Sequence, residues 1–169
     1  MTEKKIDLNA KVYTENSELQ HNHAFQLLKK IKINQNFFVI DVGCGDGSIT
    51  SEIARLVPEG HVLGIDSSKS MISHAQNKYK GDCHKNLSFI LKDIENFLCP
   101  EKFDLICSFS AFHWLKNGKE TLRRLCKSLK PGGELFILTY PSESKYYEFM
   151  QKALKGKFSS LSEKSAYKT

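Results

Sequence analysis

Apolar positions change their period several times along the chain. Between Val12 and Ile33 they recur at helical spacing, with Ala24, Leu27, Leu28 and Ile31 three and four apart and Ser17 placed to cap the helix. Phe37 to Val42 is instead an apolar run interrupted only by Asp41, of strand length and followed by glycines, which predicts a buried strand. Ile49, Ile53, Ala54, Leu56 and Val57 restore the helical spacing until Pro58-Glu59-Gly60, and His61 to Asp66 is again strand-like. A helix over 69–79, a strand over 87–91, a buried strand over 103–107, a helix over 118–129 and a strand over 134–139 continue the alternation.

Five strands separated by helices imply an α/β architecture, a doubly wound, Rossmann-like and mostly parallel sheet. Ligands of such sheets sit beyond the carboxyl ends of the strands, so the loops that follow strands are where chemistry is expected. After Pro141 the periodicity weakens: Tyr146, Phe149, Met150 and Ala153 suit a last helix, and 156–169 is polar and expected to fray. The reading is one domain in three parts, a helical segment over 1–36, an α/β core over 37–141 and a tail over 142–169. The fold is expected to be truncated at its C-terminal side.

Composition narrows the options. A chain of 169 residues, 40% hydrophobic, can bury one core and form one cleft but not two catalytic domains. No apolar stretch approaches the roughly 18 residues of a membrane helix, and the charged opening Met1 to Asp7 lacks the apolar segment of a secretory leader, so a cytoplasmic protein is expected. The five cysteines are odd in number and contain no Cys-x-x-Cys pair, which suggests neither a disulfide framework nor a zinc site. Cys83-His84 has no second ligand pair at metal spacing, and no metal is expected. The net charge of +6 permits an anionic partner.

The chemistry concentrates in Asp41-Val42-Gly43-Cys44-Gly45-Asp46-Gly47-Ser48, between the first buried strand and the next helix. Alternating glycines let backbone turn sharply and approach a ligand closely. A dinucleotide would bring a pyrophosphate, which neighbouring carboxylates repel, and its fingerprint wants a third glycine where Ser48 stands. S-adenosylmethionine brings an ammonium and a sulfonium, both positive, with a carboxylate that backbone amides can hold; an acidic glycine loop suits it. Asp66, at the end of the second strand, is placed to accept from two ribose hydroxyls or, alternatively, to cap the helix after Ser67-Ser68. After the third strand, Asp93 is placed to accept from an adenine amine with Ile94 over the ring, or simply to make a turn. Met71 would pack on the adenine or in the core.

Taken together, the glycine loop, Gly64-Ile65-Asp66, Leu91-Lys92-Asp93-Ile94, Phe103-Asp104-Leu105-Ile106-Cys107-Ser108 and Leu129-Lys130-Pro131-Gly132-Gly133 resemble a class I S-adenosylmethionine-dependent methyltransferase over about 37–140. The resemblance implies methionine-end contacts at Asp41, Gly43 and Gly45, ribose contact at Asp66, adenine contact at Asp93 and Ile94, and a cofactor contact at Ser108. Cys44, Ser67 and Met71 join the candidate cofactor contacts. Pro131-Gly132-Gly133 is implied to be a structural turn.

Ser108-Phe109-Ser110-Ala111-Phe112-His113-Trp114 is expected to border the transfer site. It lacks the Asn-Pro-Pro-Tyr type of tetrapeptide that orients a base nitrogen, and Cys99-Pro100 precedes the strand, so base methylation loses ground. The aromatic-His-Trp run, with Tyr13, Asn16-Ser17 and Gln20 upstream, is similar to the juvenile-hormone-acid and trans-aconitate carboxyl methyltransferases. That similarity makes Gln20, His113 and Trp114 candidate acceptor-positioning residues and Tyr13 a cofactor cover, with a small-molecule acid as partner. A loop histidine and a core tryptophan are the competing readings of His113 and Trp114. The basic run Lys116, Lys119, Arg123, Arg124, Lys127 and Lys130 keeps an RNA methyltransferase or RNA-binding module as the alternative, and a solvated helix face as the plainer explanation. A cofactor-binding fragment that acts only with a partner chain is the third reading.

Overall fold

The computed structural model describes residues 18–81, 84–97 and 102–139. Helix α1 (Glu18–Leu28) is followed by β1 (Phe38–Val42), α2 (Ser48–Leu56), β2 (His61–Asp66), α3 (Lys69–Lys78), β3 (Leu87–Leu91), β4 (Phe103–Phe109), a short 3₁₀ turn (Phe112–Trp114), α4 (Gly118–Lys127) and β5 (Leu129–Leu138). The strands form one sheet in the order β3-β2-β1-β4-β5, every neighbouring pair parallel. The chain winds outward from β1 in one direction and returns through β4 in the other, so the order reverses between β1 and β4 and opens a crevice at their carboxyl ends.

Strand alternation explains the helices on both faces. Val39, Leu105 and Cys107 point into a core with Ala24 and Leu28 of α1 and Ile53, Ala54 and Val57 around α2. Their neighbours Ile40, Val42 and Ile106 point the opposite way, into a core with Ile65, Ile94, Phe103 and Leu125 of α4. Full burial of such a side chain is worth about 1.5–3 kcal/mol, whereas isolated helices shorter than about 12 residues are marginal. The two cores therefore hold these short helices in place. Asn86 adds a cap that sequence patterning does not reveal, its amide donating to Ala54 O at 2.7 Å and Val57 O at 2.8 Å at the end of α2.

Several predicted boundaries move. Ile31 and Ile33 reach the core from beyond the end of α1, and the Ser17 cap lies outside the described residues. Strand β4 runs two residues further than predicted, because Ser108 and Phe109 pair with Ile137 and Leu138. Helix α4 stops at Lys127, and Leu129 opens β5 by pairing with Phe103. The register then jumps to Leu105 opposite Glu134, leaving Lys130-Pro131-Gly132-Gly133 across from Asp104 alone. The predicted turn is thus a wide bulge within the strand, with Gly132 at φ +79° and Lys130 Nζ held 2.7 Å from Asp104. Calls on Tyr13, Asn16, Cys83, Cys99, Pro100 and the segment from Tyr140 onward lie outside the described residues. Among the described residues no helix is long and apolar enough to cross a membrane, and no three His, Cys, Asp or Glu side chains converge as a metal site.

Candidate active site

The loop after β1 bends immediately. Gly43 N and Cys44 N both donate to Ile65 O, at 2.8 and 3.0 Å, which folds the loop over the end of β2. Gly43 has φ +75°, and a β-carbon there would lie 2.2 Å from the Ala111 β-carbon, so this position requires glycine on both counts. The loop from β1 and the loop from β4 therefore touch at Gly43 and Ala111.

Asp66 ties the loop to the entry of α3. Its Oδ2 accepts from Gly45 N at 3.0 Å and its Oδ1 from Ser68 N at 2.8 Å. The cap of α3 is Ser68, whose hydroxyl accepts from Met71 N at 3.2 Å, so the capping alternative for Asp66 belongs to its neighbour. Asp66 is half-buried, while Ser67 beside it is exposed. Met71 is 2% exposed and lies in the core, the alternative the sequence left open.

The two aspartates of the glycine loop have different fates. Asp41 is 1% exposed; Oδ2 accepts from Thr50 Oγ1 at 2.7 Å, while Oδ1 is buried and has no hydrogen-bond partner. Burial pushes its pKa up to about 7 and the charge of Asp66 adds to the rise, while the Thr50 hydroxyl and the neighbouring Cys107 thiol oppose it. An orphaned buried oxygen of this kind costs about 1–3 kcal/mol, more when charged, and a ligand cation would relieve it. Asp46 is also buried but fully engaged. Its oxygens accept from Ser48 N at 3.0 Å and Ser48 Oγ at 2.8 Å, with His21 Nε2 at 3.7 Å and Lys78 Nζ at 3.8 Å. Burial pushes its pKa upward, but the Ser48 hydrogen bonds and the charges of His21 and Lys78 outweigh that and hold it low. The expectation of two carboxylates facing a cationic ligand is corrected accordingly: Asp41 has an oxygen to spare, and Asp46 fastens α1 and α3 to the loop.

Beyond β3, Asp93 makes the turn that was its alternative reading, Oδ1 accepting from Glu95 N at 3.0 Å and Oδ2 from Asn96 Nδ2 at 2.9 Å. Ile94 is buried against Ile40 and Val42. Lys92 N donates to Asp66 O at 2.9 Å, so the exits of β2 and β3 are held side by side.

The exit of β4 is built differently. Ser108 is 1% exposed, and its hydroxyl donates to Val42 O at 2.8 Å, clamping β4 to β1 at the crevice. Ser110 follows with φ +58°, the sole positive-φ residue other than glycine among the described residues. Its N–H donates to Leu138 O at 2.8 Å, whereas its hydroxyl oxygen is closed from solvent and without a hydrogen-bond partner. Left-handed backbone at a serine and an unpaired buried hydroxyl each cost about 1–3 kcal/mol. Sequence reading passed over Ser110, since nothing in a serine's neighbours signals a positive φ. His113 is half-buried in the 3₁₀ turn, and burial pushes its pKa down to about 4. Trp114 is 43% exposed with its ring 5.1 Å from that of His113, which removes the core-packing alternative. Gln20 lies in the first turn of α1, and α1 reaches the glycine loop through His21 and Asp46.

The basic run is less uniform than its sequence suggests. Arg124 turns inward to Ile94 O at 3.3 Å and Thr121 Oγ1 at 3.1 Å, and Lys130 pairs with Asp104. Arg123 pairs with Glu120 at 3.4 Å, while Lys116, Lys119 and Lys127 are exposed.

With this geometry in hand, comparison with known proteins is decisive. A family model described as "Methyltransferase domain" matches residues 33–168. The chain belongs to that family. The methyltransferase domain is 30% identical over 143 residues to the malonyl-[acyl-carrier protein] O-methyltransferase of Priestia megaterium, covering 83% of this chain and 51% of that protein. It is 29% identical over 131 residues to the trans-aconitate 2-methyltransferase of Rhodopseudomonas palustris, covering 78% of this chain and 49% of that one. The chain thus spans about half the length of the curated relatives it matches. Among solved structures, a SAM dependent methyltransferase from Aquifex aeolicus superposes with a TM-score of 0.70 at 24% identity, over 84% of this chain and 77% of that one. The fold is the class I methyltransferase fold, and the cofactor class is S-adenosylmethionine. The residues present fit that group: Asp41 offers an unsatisfied oxygen for a cation, and Asp66 and the Gly43–Gly45 backbone frame the crevice beside it.

Proposed function

We propose that this domain transfers the methyl group of S-adenosylmethionine to a carboxylate oxygen of a small organic or fatty acid, in a cytoplasmic setting. The observation that carries the reading is the state of His113. It is the sole titratable side chain between Ser108 and Trp114, and with a pKa near 4 it is neutral and weakly basic at pH 7. An amine or phenol acceptor would require a base there; a carboxylate is already ionised and requires none. The names of two relatives, which denote methylation of malonyl-carrier protein and of trans-aconitate, lie in the same chemical class.

S-adenosylmethionine supplies an activated methyl group: the carbon–sulfur bond breaks, a carbon–oxygen bond forms, and sulfur keeps the electron pair. The chain's part is to bind and to align. Asp41 meets the ammonium, the backbone at Gly43 and Gly45, free of β-carbons, lets the methionine end approach closely, Asp66 with Ser67 takes the ribose, and the exit of β3 at Asp93 and Ile94 borders the adenine. Ser108 keeps β4 against β1, so that the crevice has a fixed width. Gln20 and Trp114 position the acceptor. Alignment of this kind supplies up to about 7–11 kcal/mol in favourable cases.

The test is radiolabelled methyl transfer to a panel of carboxylic acids, amines and RNA. A base-labile product, as an ester is, supports the reading. A base-stable product, or salt-dependent labelling of RNA through the exposed lysines, overturns it.

A further inference from the structure

Resting on the carboxylate reading above, we propose that the Ser110 hydroxyl is a hydrogen-bond donor to the acceptor, holding the carboxylate oxygen that does not receive the methyl group. Ser110 carries two burdens that no contact within the described chain offsets, a left-handed φ of 58° and a buried hydroxyl without a partner. Outliers of this kind collect where a ligand completes the structure. Ser108, two residues earlier on the same segment, shows what a structural serine does here: its hydroxyl is spent on Val42 O at 2.8 Å.

The placement selects the acceptor over the cofactor. Ser110 N is bonded to Leu138 O of β5, so its backbone stands on the β5 flank of β4, away from β1 and β2, whose exits carry the glycine loop and Asp66. The next residue, Ala111, fills the space against Gly43 and closes that side of the loop. Chemistry points the same way. The orphaned oxygen of Asp41 suits a cation, whereas an uncharged hydroxyl donor suits an anionic oxygen and can await it in a buried site at far lower cost than an arginine could.

Ser110→Ala deletes the hydroxyl and keeps the strained backbone; Ser110→Gly deletes the hydroxyl and relieves the strain. Both are to be compared with the unaltered chain on the carboxylic acid most rapidly labelled in the panel. Expected are an acceptor KM raised at least about tenfold in both, kcat within about threefold, and adenosylhomocysteine affinity within about twofold, since the lost bond is to a charged group and is made before the transition state. Both variants are expected to melt at or above the unaltered protein, as removal of an unpaired hydroxyl and of strain requires. An unchanged KM, a loss that falls on adenosylhomocysteine instead, or lower melting in both with KM unmoved would overturn the assignment and leave the carboxylate reading standing. If the unaltered chain esterifies no acid, that reading fails and this assignment falls with it.

Discussion

The two halves of the crevice are finished to different degrees. At the exits of β1 and β2, nearly every polar group has a partner within the chain: Gly43 and Cys44 on Ile65, Gly45 and Ser68 on Asp66, Asp46 on Ser48, His21 and Lys78. At the exit of β4 the chain leaves a strained serine, an unpaired hydroxyl and a tryptophan 43% exposed. A half-site whose ligand is always the same can be built rigid, with one unsatisfied carboxylate oxygen at Asp41 to receive it. On the function proposed above, the other half holds its polar groups and its apolar surface in readiness for an acceptor.

If the first half is rigid, small intrusions there should be severe. Gly43→Val is expected to weaken adenosylhomocysteine binding at least about a hundredfold and to lower the melting temperature, because a β-carbon falls 2.2 Å from that of Ala111 at φ +75°. Pairing Gly43→Ala with Ala111→Gly should recover more affinity than Gly43→Ala alone, by calorimetry; no recovery would mean that the two loops do not bear on each other. Asp66→Ala removes the acceptor for Gly45 N and Ser68 N and should weaken the cofactor at least about tenfold with the circular dichroism spectrum retained. Unchanged affinity would refute the ribose assignment.

Asp41 sharpens the contrast through pH. Its folded pKa of about 7 lies above the ordinary carboxylate value, so between about pH 4 and 7 the folded state binds more protons than the unfolded one. On its account, stability without ligand is highest at the acid end of that window and falls as pH rises through about 7. A ligand cation favours the ionised form, so affinity runs in the opposite direction. Adenosylhomocysteine should bind just under tenfold more weakly at pH 6 than at pH 7.5, and Asp41→Asn should flatten both profiles. A flat affinity profile in the unaltered protein would place the cation elsewhere. The smallest effect belongs to the open half: Trp114→Ala should change stability by no more than about 1 kcal/mol, leave the cofactor untouched, and raise the acceptor KM a few-fold. A large drop in melting temperature would return Trp114 to the core.

Much of this molecule was legible in its residues. The alternation of helical and strand periods, the apolar runs at Phe37–Val42 and Phe103–Cys107, each broken by a single aspartate, and the glycine loop between strand and helix specified the α/β class, the parallel sheet and the carboxyl-edge crevice, because hydrophobic period and glycine freedom are local properties. What sequence could not decide was where each polar side chain would spend its hydrogen bonds. Asp41 and Asp46 are five residues apart in one loop, yet one is left with an unpaired oxygen and the other is bound by residues from α1 and α3. Ser68, not Asp66, caps α3; Lys130 to Gly133 form a bulge rather than a turn before the strand; and Ser110 takes a left-handed backbone that its composition does not favour. Each of these depends on partners distant in the chain and brought near by packing. Periodicity records which face of an element is buried, but only the assembled fold determines which donors and acceptors meet there and which are left for a ligand.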